Sequence, residues 1–479
     1  MKAVLILNII IFWSLNTMAT SKDFTVGYFP TTMPRDPVDI DIFVEHLGVG
    51  QVLETLVQVS SEGEIVPNLA KSWKIQNNGT KFNFLLNENI SFSNGKNLDC
   101  EDVVFSIKRH MNSNSQSTHY FKNINDIQCI GKYEIEFNLK SPQVSFLKIL
   151  TRDHLGILPK GWTFDKNKKE PWIGTGAYRY LHGTDGSFFV KNNNYRFSDS
   201  VKIDKWKVLS TNDVFADAPK LASPDLILHI TSHIKKSIEL IPALGNISFD
   251  QPMHFSQTSI WWYPLGNNYE DESLKQNTLS IMNELVLELN KHNKLELASG
   301  VVPRGIQGHL LKRMNPYKKA ETFKKQKLIK VSVYSSDFSS FFGNDVYKAF
   351  EKKYNFKFDV STVSPVNNAP EDFKPDILIA NYAGGFSDPD GFLIVLGSIL
   401  GVEPNKYLGN SISLYKEASM EQDWTKRGEK FRKINELLVN EFRVVPAWKK
   451  EIYIGKSSRL IDSSNLFGYS VRLSRFKPK

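Results

Sequence analysis

The sequence has 479 residues, of which 41% are hydrophobic and 23% are charged, and its formal net charge is +9. This composition excludes a wholly disordered chain, and the length suffices for two or three domains. The basic residues are dispersed in short groups, such as residues 166–169 and 324–327, rather than concentrated on one element. We therefore expect solvated basic faces and no nucleic-acid partner.

The first residues have the pattern of an export signal. Lys2 precedes a mostly apolar run over residues 3–13, and polar and small residues follow as far as Ala19. This pattern predicts a signal peptide over residues 1–19 that is removed near Ala19. The apolar run is too short to span a bilayer, and no later run approaches about 18 apolar residues. We therefore expect an exported protein.

The first half of the chain predicts strands, hairpins and short helices. After a strand over residues 24–28, Pro30, Pro34 and Pro37 keep the chain extended. A helix is predicted over residues 44–57 from the spacing of its apolar side chains. Further predicted elements are a hairpin turning at residues 77–79, a helix over residues 103–111 capped by residues 99–102, and a strand pair over residues 124–130 and 133–139.

The two cysteines, Cys100 and Cys129, fall within this half. In an oxidising compartment they could pair and close a loop of roughly 30 residues, which would be worth about 3 kcal/mol. They could equally be two buried thiols. Two cysteines are too few for a structural metal site by themselves.

In the second half, helices and strands alternate irregularly, which predicts a mixed α/β fold. Predicted strands cover residues 206–209, 226–230, 328–334, 356–360 and 376–380, and predicted helices cover residues 271–289, 344–353 and 423–442.

The stretch over residues 377–392 has the pattern of a ligand-site loop. An apolar run typical of a buried strand is followed by two glycines and a dense turn signal through Pro389 and Gly391. Loops at the end of a core strand often carry ligand contacts. The alternative is a tight surface turn whose aromatic side chains pack inward.

Four motifs occur in a fixed order: Glu-Ile-Val-Pro-Asn-Leu-Ala-Lys-Ser-Trp at 64–73, Phe-Ser-Asn-Gly at 92–95, Glu-Asp-Val-Val-Phe-Ser at 101–106 and Gly-Thr-Gly-Ala-Tyr at 174–178. This ordered set resembles the bacterial extracellular solute-binding proteins of family 5, the substrate-binding proteins of peptide- and nickel-type ABC importers. Ala177 stands where the family usually has proline. Weaker matches extend the resemblance over essentially the whole mature chain.

The resemblance implies an α/β, two-lobed periplasmic-binding-protein fold of the large, class II-like type, with an inserted α/β subdomain in the first lobe. A ligand cleft would lie between the lobes, and a hinge would close on the ligand. The implied ranges are residues 20–47, 173–229 and 434–479 for lobe I, 48–172 for the inserted subdomain, and 230–433 for lobe II.

In peptide-binding members of this family, the bound peptide lies in the cleft as an added strand. The resemblance places its contacts on two segments of this chain. The implied ligand-binding residues are Asp41, Ile42 and Phe43 in the first segment, and Tyr382, Gly384, Gly385, Phe386, Ser387 and Asp388 in the second.

Gly385 is the main departure from the peptide-binding members. Many of them carry at this position an aspartate that pairs with the α-ammonium group of the peptide. Loss of such a pair in a closed cleft would cost about 2–3 kcal/mol, or roughly a hundredfold in affinity. Asp388 could substitute only if the loop differs from the family; otherwise it caps its own turn.

One pair of tryptophans and two arginines are further candidates for ligand contacts. Trp261 and Trp262 lie on a predicted strand, where one ring could stack on a ligand or both could pack in the core. Arg35 and Arg304 are loop residues that could meet an anionic group of the ligand.

No catalysis is predicted, because the sequence lacks His-Glu-x-x-His, Gly-x-Ser-x-Gly and metal-ligand Cys/His spacings. The resemblance implies a monomeric periplasmic receptor without a cofactor. It would capture a peptide or peptide-like solute and deliver it to an ABC permease in the inner membrane. The alternatives are an oligosaccharide or metal-chelate ligand, which Gly385 favours, or a ligand sensor for a signalling partner.

Overall fold

The computed structural model describes residues 24–28, 35–40, 43–60, 64–113, 118–210, 224–231, 235, 238–240, 245–250, 253–293, 296–303, 306–334, 341–342, 345–363, 374–383, 389–400, 404–462 and 471–479. The predicted signal peptide over residues 1–19 lies outside this set. Within it, no helix combines the length and the apolarity needed to cross a membrane.

The described strands confirm a mixed architecture. They are β1 (Phe24–Tyr28), β2 (Val57–Val59), β3 (Ile65–Pro67), β4 (Ala70–Gln76), β5 (Lys81–Leu86), β6 (Ile124–Gly131), β7 (Glu134–Leu139), β8 (Tyr178–Gly183), β9 (Gly186–Lys191), β10 (Lys205–Ser210), β11 (Leu226–Thr231), β12 (Ile247–Phe249), β13 (Met253–Trp262), β14 (Lys327–Tyr334), β15 (Phe356–Val363), β16 (Ile377–Ala383), β17 (Val444–Ser457), β18 (Leu460–Asp462) and β19 (Phe476–Pro478).

The described α-helices are α1 (Phe43–Val52), α2 (Cys100–Met111), α3 (Thr118–Phe121), α4 (Phe146–Ile149), α5 (Glu272–Asn293), α6 (Val346–Tyr354), α7 (Pro389–Leu400), α8 (Pro404–Tyr407), α9 (Ile412–Met420) and α10 (Trp424–Asn440). Short 3₁₀ helices cover Pro37–Asp39, Asn77–Gly79, Asp153–Leu155, Ser198–Ser200, Gly409–Ser411 and Leu473–Arg475.

One large mixed sheet runs through both lobes. Its strand order is β15, β14, β16, β13, β17, β11, β1, β10, β9 and β8, and β12 also pairs with β17. The central strand β17 pairs with β13 between Val444 and Ile452, and with β11 between Ile452 and Lys456. Because the two halves of β17 have different neighbours, this single strand belongs to both lobes and joins them.

Three main hydrophobic cores correspond to the two lobes and the inserted subdomain. Trp206 and Tyr178 are buried in the core of lobe I. Phe84 lies in a second core, which belongs to the inserted subdomain. Leu285 and Ile379 lie in the core of lobe II. The fold is therefore α/β, with two lobes and a separately cored subdomain.

The predicted lobe boundary at residue 434 falls inside α10. Ile434 and Leu438 of that helix, and Val445 and Trp448 of β17, pack into the core of lobe II. Since β17 crosses between the lobes, we place the return to lobe I after Trp448. The other domain ranges stay predictions.

The inserted subdomain has a four-stranded antiparallel sheet in the order β4, β5, β7 and β6. The predicted hairpin between β4 and β5 turns where Asn78 and Gly79 have positive φ angles, a conformation that asparagine and glycine favour. A disulfide joins Cys100, at the start of α2, to Cys129 on β6. Of the two alternatives for the cysteines, the structure contains the bonded one.

Two predicted elements differ in the structure. The first helix ends at Val52 rather than at residue 57, because Val57 pairs with Pro67 in a two-stranded sheet. The turn predicted through residues 387–391 is also different, because Pro389 and Asp390 form the first turn of α7. Proline is favoured at that position because its missing N–H would be unpaired there in any case.

Candidate ligand-binding site

The predicted site loop begins at the end of β16. Ala383, the last residue of this strand, pairs with Ser256 of β13, and Ser256 pairs in turn with Lys450 of β17. Strand β17 connects the two lobes, so this end of the sheet lies beside the crossover strand. Such junctions between lobes are the expected position of a ligand cleft.

Most of the predicted ligand contacts lie outside the described residues. They are Asp41, Ile42, Gly384, Gly385, Phe386, Ser387, Asp388 and Arg304. For Phe43 and Tyr382 the structure describes only the backbone, which is the first residue of α1 and a residue of β16. Their roles in binding stay predictions.

Trp261 and Trp262 lie at the opposite end of β13 from the loop. Trp261 pairs with Leu378 and Trp262 with Ile377, at the start of β16. Five residues of strand separate Leu378 from Ala383, a distance of roughly 17 Å. The structure therefore places both tryptophans beside the start of β16, at the other end of this strand from Ala383.

Both indole rings are also buried, with 1% and 3% of their surface exposed. Trp261 packs edge-on against Tyr407, with 6.4 Å between ring centroids. Trp262 donates a 3.1 Å hydrogen bond from Nε1 to the carbonyl oxygen of Tyr269. The structure thus supports the core-packing alternative for both rings.

The loop before α1 is fastened to the inserted subdomain. Asp36 caps the short helix Pro37–Asp39 by accepting a hydrogen bond from the backbone N–H of Val38 at 3.1 Å. Its second carboxylate oxygen lies 2.6 Å from Nη2 of Arg109. The Arg109 guanidinium also lies over the Trp162 ring, 4.8 Å from its centroid. The side of the loop that leads to predicted contacts Asp41 and Ile42 is therefore held by an ion pair.

Asp39 and Arg35 are two further charged residues of this loop. Burial and the nearby negative charge of Asp36 raise the pKa of Asp39, although Arg35 and Arg109 oppose that shift. Arg35 is half-buried, and its carbonyl oxygen accepts a 2.8 Å hydrogen bond from Nε1 of Trp172. Its predicted contact with an anionic ligand group stays a prediction.

The most densely bonded carboxylate next to the predicted loop is that of Asp390. Its Oδ1 accepts hydrogen bonds from the Tyr415 hydroxyl at 2.6 Å and the Ser419 hydroxyl at 3.1 Å. Its Oδ2 accepts a 2.5 Å hydrogen bond from the Ser145 hydroxyl and lies 3.9 Å from Nη2 of Arg427. Only 1% of the residue is exposed, so Asp390 is an internal anchor and not a turn residue.

Sequence reasoning missed this cluster. A proline followed by an acid and then an apolar run is a helix-start signal, and it could have placed Asp390 in the first turn of α7. It could not have supplied the partners, because Ser145 is 245 residues away along the chain.

Ser145 belongs to the inserted subdomain, so its bond to Asp390 joins that subdomain to lobe II. Two neighbouring contacts do the same. The backbone N–H of Val144 donates to the carbonyl oxygen of Ser419 at 3.1 Å. The Lys148 ammonium lies 4.7 Å from the centroid of the Trp424 ring. These contacts form one interlobe seam beside the start of α7.

A second buried aspartate fixes the lobe I end of the crossover strand. Asp225 Oδ2 accepts a 3.0 Å hydrogen bond from the backbone N–H of Thr25, and Oδ1 accepts one from the Ser457 hydroxyl at 3.1 Å. Arg459 pairs with the same carboxylate at 3.2 Å. The starts of β1 and β11 and the end of β17 are thereby tied together.

In the part of the chain that the structure describes, no three His, Cys, Asp or Glu side chains are grouped so that they could hold a metal ion.

Comparison with known proteins agrees with this architecture. Residues 64–277 match the model of the bacterial extracellular solute-binding proteins, family 5 Middle. The structure superposes on the Helicobacter pylori periplasmic binding protein DppA in complex with the peptide STSA, with a TM-score of 0.76 and 18% identity over 95% of this chain and 97% of that one. The resemblance to family 5 is confirmed.

The structure also superposes on NikA from Staphylococcus aureus in complex with Ni(L-His)2. The TM-score is 0.75 at 16% identity, over 96% of this chain and 100% of that one. Among curated proteins, the nickel-binding periplasmic protein of Escherichia coli K12 is 29% identical over 153 residues, which are 30% of this chain and 29% of that protein. The aligned region thus spans less than a third of this curated relative. The two-lobed periplasmic-binding-protein fold is established, and these homologues are binding proteins associated with transport.

Proposed function

We propose that this protein is an exported, periplasmic and monomeric substrate-binding protein of an ABC importer. It captures a peptide or peptide-like solute between its lobes and delivers it to an inner-membrane permease, without catalysis. The observation that carries the proposal is the buried contact between Ser145 and Asp390. It joins two separately cored bodies across the edge where the predicted ligand loop begins, as expected of a receptor with its lobes closed.

In the proposed binding mode, the peptide pairs with the backbone at the end of β16. An extended peptide could add to the backbone beside Ala383, with residues 384–388 as its proposed contacts. The structure of DppA, which this chain resembles in fold, is named as a complex with a tetrapeptide sequence, STSA. This likeness supports a peptide-sized cleft between the lobes.

A metal chelate is the second candidate ligand. Gly385 favours it, because this chain lacks a carboxylate where peptide-binding members of the family pair with the α-ammonium group. The relatives also include a nickel-binding periplasmic protein and a structure named as a complex with Ni(L-His)2. A chelate that carries its own amino-acid ligands would not need metal ligands from the protein.

Native mass spectrometry of gently purified protein tests the proposal most directly. A retained peptide would support the first candidate, and a retained nickel–histidine complex would support the second in its place. Thermal shifts with a panel of di- to pentapeptides, and with Ni²⁺ plus L-histidine, provide the second measurement. A ligand at 100 times its Kd should stabilise the protein by about 2.7 kcal/mol. The absence of retained solute and of any shift would contradict the receptor function.

Gly385→Asp separates the two ligand classes. The new carboxylate should strengthen peptide binding by up to about a hundredfold if the peptide α-ammonium lies beside it. Gly385→Asn is the matched control, since it adds similar bulk without the charge. Equal affinities for the parent and both variants would contradict the peptide pose.

A further inference from the structure

We propose that Ser145 is a positioning residue that holds the lobes closed by docking its hydroxyl on Asp390. The inference rests on the proposed function, because only a receptor that opens and closes would use such a contact. It goes further in naming the pair of side chains that sets how readily the cleft opens.

The two partners belong to different rigid bodies. Phe146, the neighbour of Ser145, packs 4.8 Å from Phe82 and 5.2 Å from Phe137 between ring centroids, in the core of the inserted subdomain. Asp390 lies three residues before Leu393, which is buried in the core of lobe II. Each partner therefore moves with its own core, and their hydrogen bond forms only when the bodies meet.

Lobe II holds the acceptor oxygen ready for this contact. Tyr415 and Ser419, which are both on α9, donate to Oδ1 of Asp390 and fix the plane of the carboxylate. Oδ2 lies 3.9 Å from Nη2 of Arg427 in lobe II and accepts the hydrogen bond of Ser145, the donor that comes from the other body. A hydrogen bond to a charged carboxylate is stronger than one between neutral groups, and neither partner is exposed to competing water here, since Ser145 is 0% and Asp390 1% exposed.

Two serine variants form a matched pair for the test. Ser145→Ala and Ser419→Ala each remove one hydroxyl donor to the Asp390 carboxylate, but only Ser145 comes from the opposite body. Ser145→Ala should shift the ratio of open to closed molecules by about tenfold. Ser419→Ala should lower the urea midpoint of lobe II and leave the distance between the bodies unchanged.

The distance is measured by double electron–electron resonance on the mature chain without added ligand. Spin labels are attached at Lys132→Cys in the inserted subdomain and Leu311→Cys in lobe II, two exposed positions. The chain's two native cysteines are already bonded to each other, so the labels react only at the introduced thiols.

A longer distance population that appears with Ser145→Ala alone supports the inference. A distribution unchanged by Ser145→Ala overturns it, and so does equal opening by Ser419→Ala. Because no ligand is used, this result is independent of the ligand screen. A receptor that binds nothing in that screen could still show the contact, and a receptor that binds peptides could still lack it.

Discussion

Two helices of this protein begin with aspartates that are held in opposite ways. At the start of α2, Asp99 accepts a hydrogen bond from the backbone N–H of Glu101 at 2.9 Å, and Asp102 accepts one from the N–H of Asp99 at 3.0 Å. At the start of α7, Asp390 is held by side chains of α9 and α10 and of the inserted subdomain. The cap that Asp99 supplies is local in sequence. Asp390 is held by the tertiary fold, and so in part is Asp102, which also accepts a 2.6 Å hydrogen bond from the backbone N–H of Lys160.

The comparison shows that a capping aspartate and a buried aspartate stabilise different parts of the structure. An N-cap side chain such as Asp99 stabilises its own helix and can be replaced at modest cost, since the N–H group that it satisfies lies at an exposed helix end. A buried carboxylate with several donors fixes the relative placement of the elements that supply them, and its removal leaves those donors unpaired. Four variants or conditions in these two helices test that distinction.

Asp390→Ala should have the largest effect. It would leave the Arg427 guanidinium, which is fully buried, without its carboxylate partner, and breaking a buried pair typically costs about 3–5 kcal/mol. Urea unfolding followed by tryptophan fluorescence measures the change. Asp345→Ala is the matched control, because Asp345 pairs with Lys348 at the exposed surface, where such pairs are worth about 0–1 kcal/mol. A loss below about 1 kcal/mol in Asp390→Ala would contradict the anchoring role.

The same contrast explains what the sequence could and could not predict. The hairpin at Asn78 and the capped helix after Asp99 have local signals, and the structure contains both. The partners of Asp390 have no local signal, because they come from three distant segments. The tryptophans show the same limit: an aromatic pair on a strand is easily recognised, but its position along the sheet depends on the pairing of Trp261 with Leu378, which no local pattern encodes.

Removing the disulfide should have the next largest effect. Cys100 and Cys129 are 29 residues apart in sequence, and closing a loop of that length stabilises the folded state by about 3 kcal/mol. The double variant Cys100→Ala/Cys129→Ala should lower the free energy of unfolding by that amount. Reductant should destabilise the parent protein and have no effect on the double variant. Equal sensitivity of both proteins to reductant would contradict a structural disulfide.

Acid should lower the stability of the folded protein through His110, which lies in the last turn of α2. Burial and then the positive charge of Arg109 lower the pKa of His110 to about 3, against a backbone hydrogen bond involving His154 that raises it. Below an ordinary pKa of about 6.5, the unfolded chain binds a proton that the folded protein does not. The free energy of unfolding should therefore fall as the pH drops from 6.5 towards 3, by about 2–3 kcal/mol at pH 4.5.

Urea unfolding at pH 7 and at pH 4.5 measures this loss. Carboxylates titrate over the same range, so the informative quantity is the difference between the parent protein and His110→Gln. The variant should lose about 2–3 kcal/mol less than the parent between the two pH values. His292→Gln, at an exposed position, should follow the parent. Parallel losses in the parent and His110→Gln would show that the neutral, buried histidine does not set the acid sensitivity.

The smallest effect is expected for Asp99→Ala. It removes the side chain that caps α2 and should cost about 1 kcal/mol, a fraction of the loss at Asp390. Asp99→Asn is the matched control, because the amide oxygen can still accept from the N–H of Glu101 and should retain most of the stability. Hydrogen exchange of the first-turn amides of α2 reports the change locally. If Asp99→Ala were as damaging as Asp390→Ala, the distinction between a local cap and a tertiary anchor would fail, and both acids would have to be regarded as parts of a single cooperative unit.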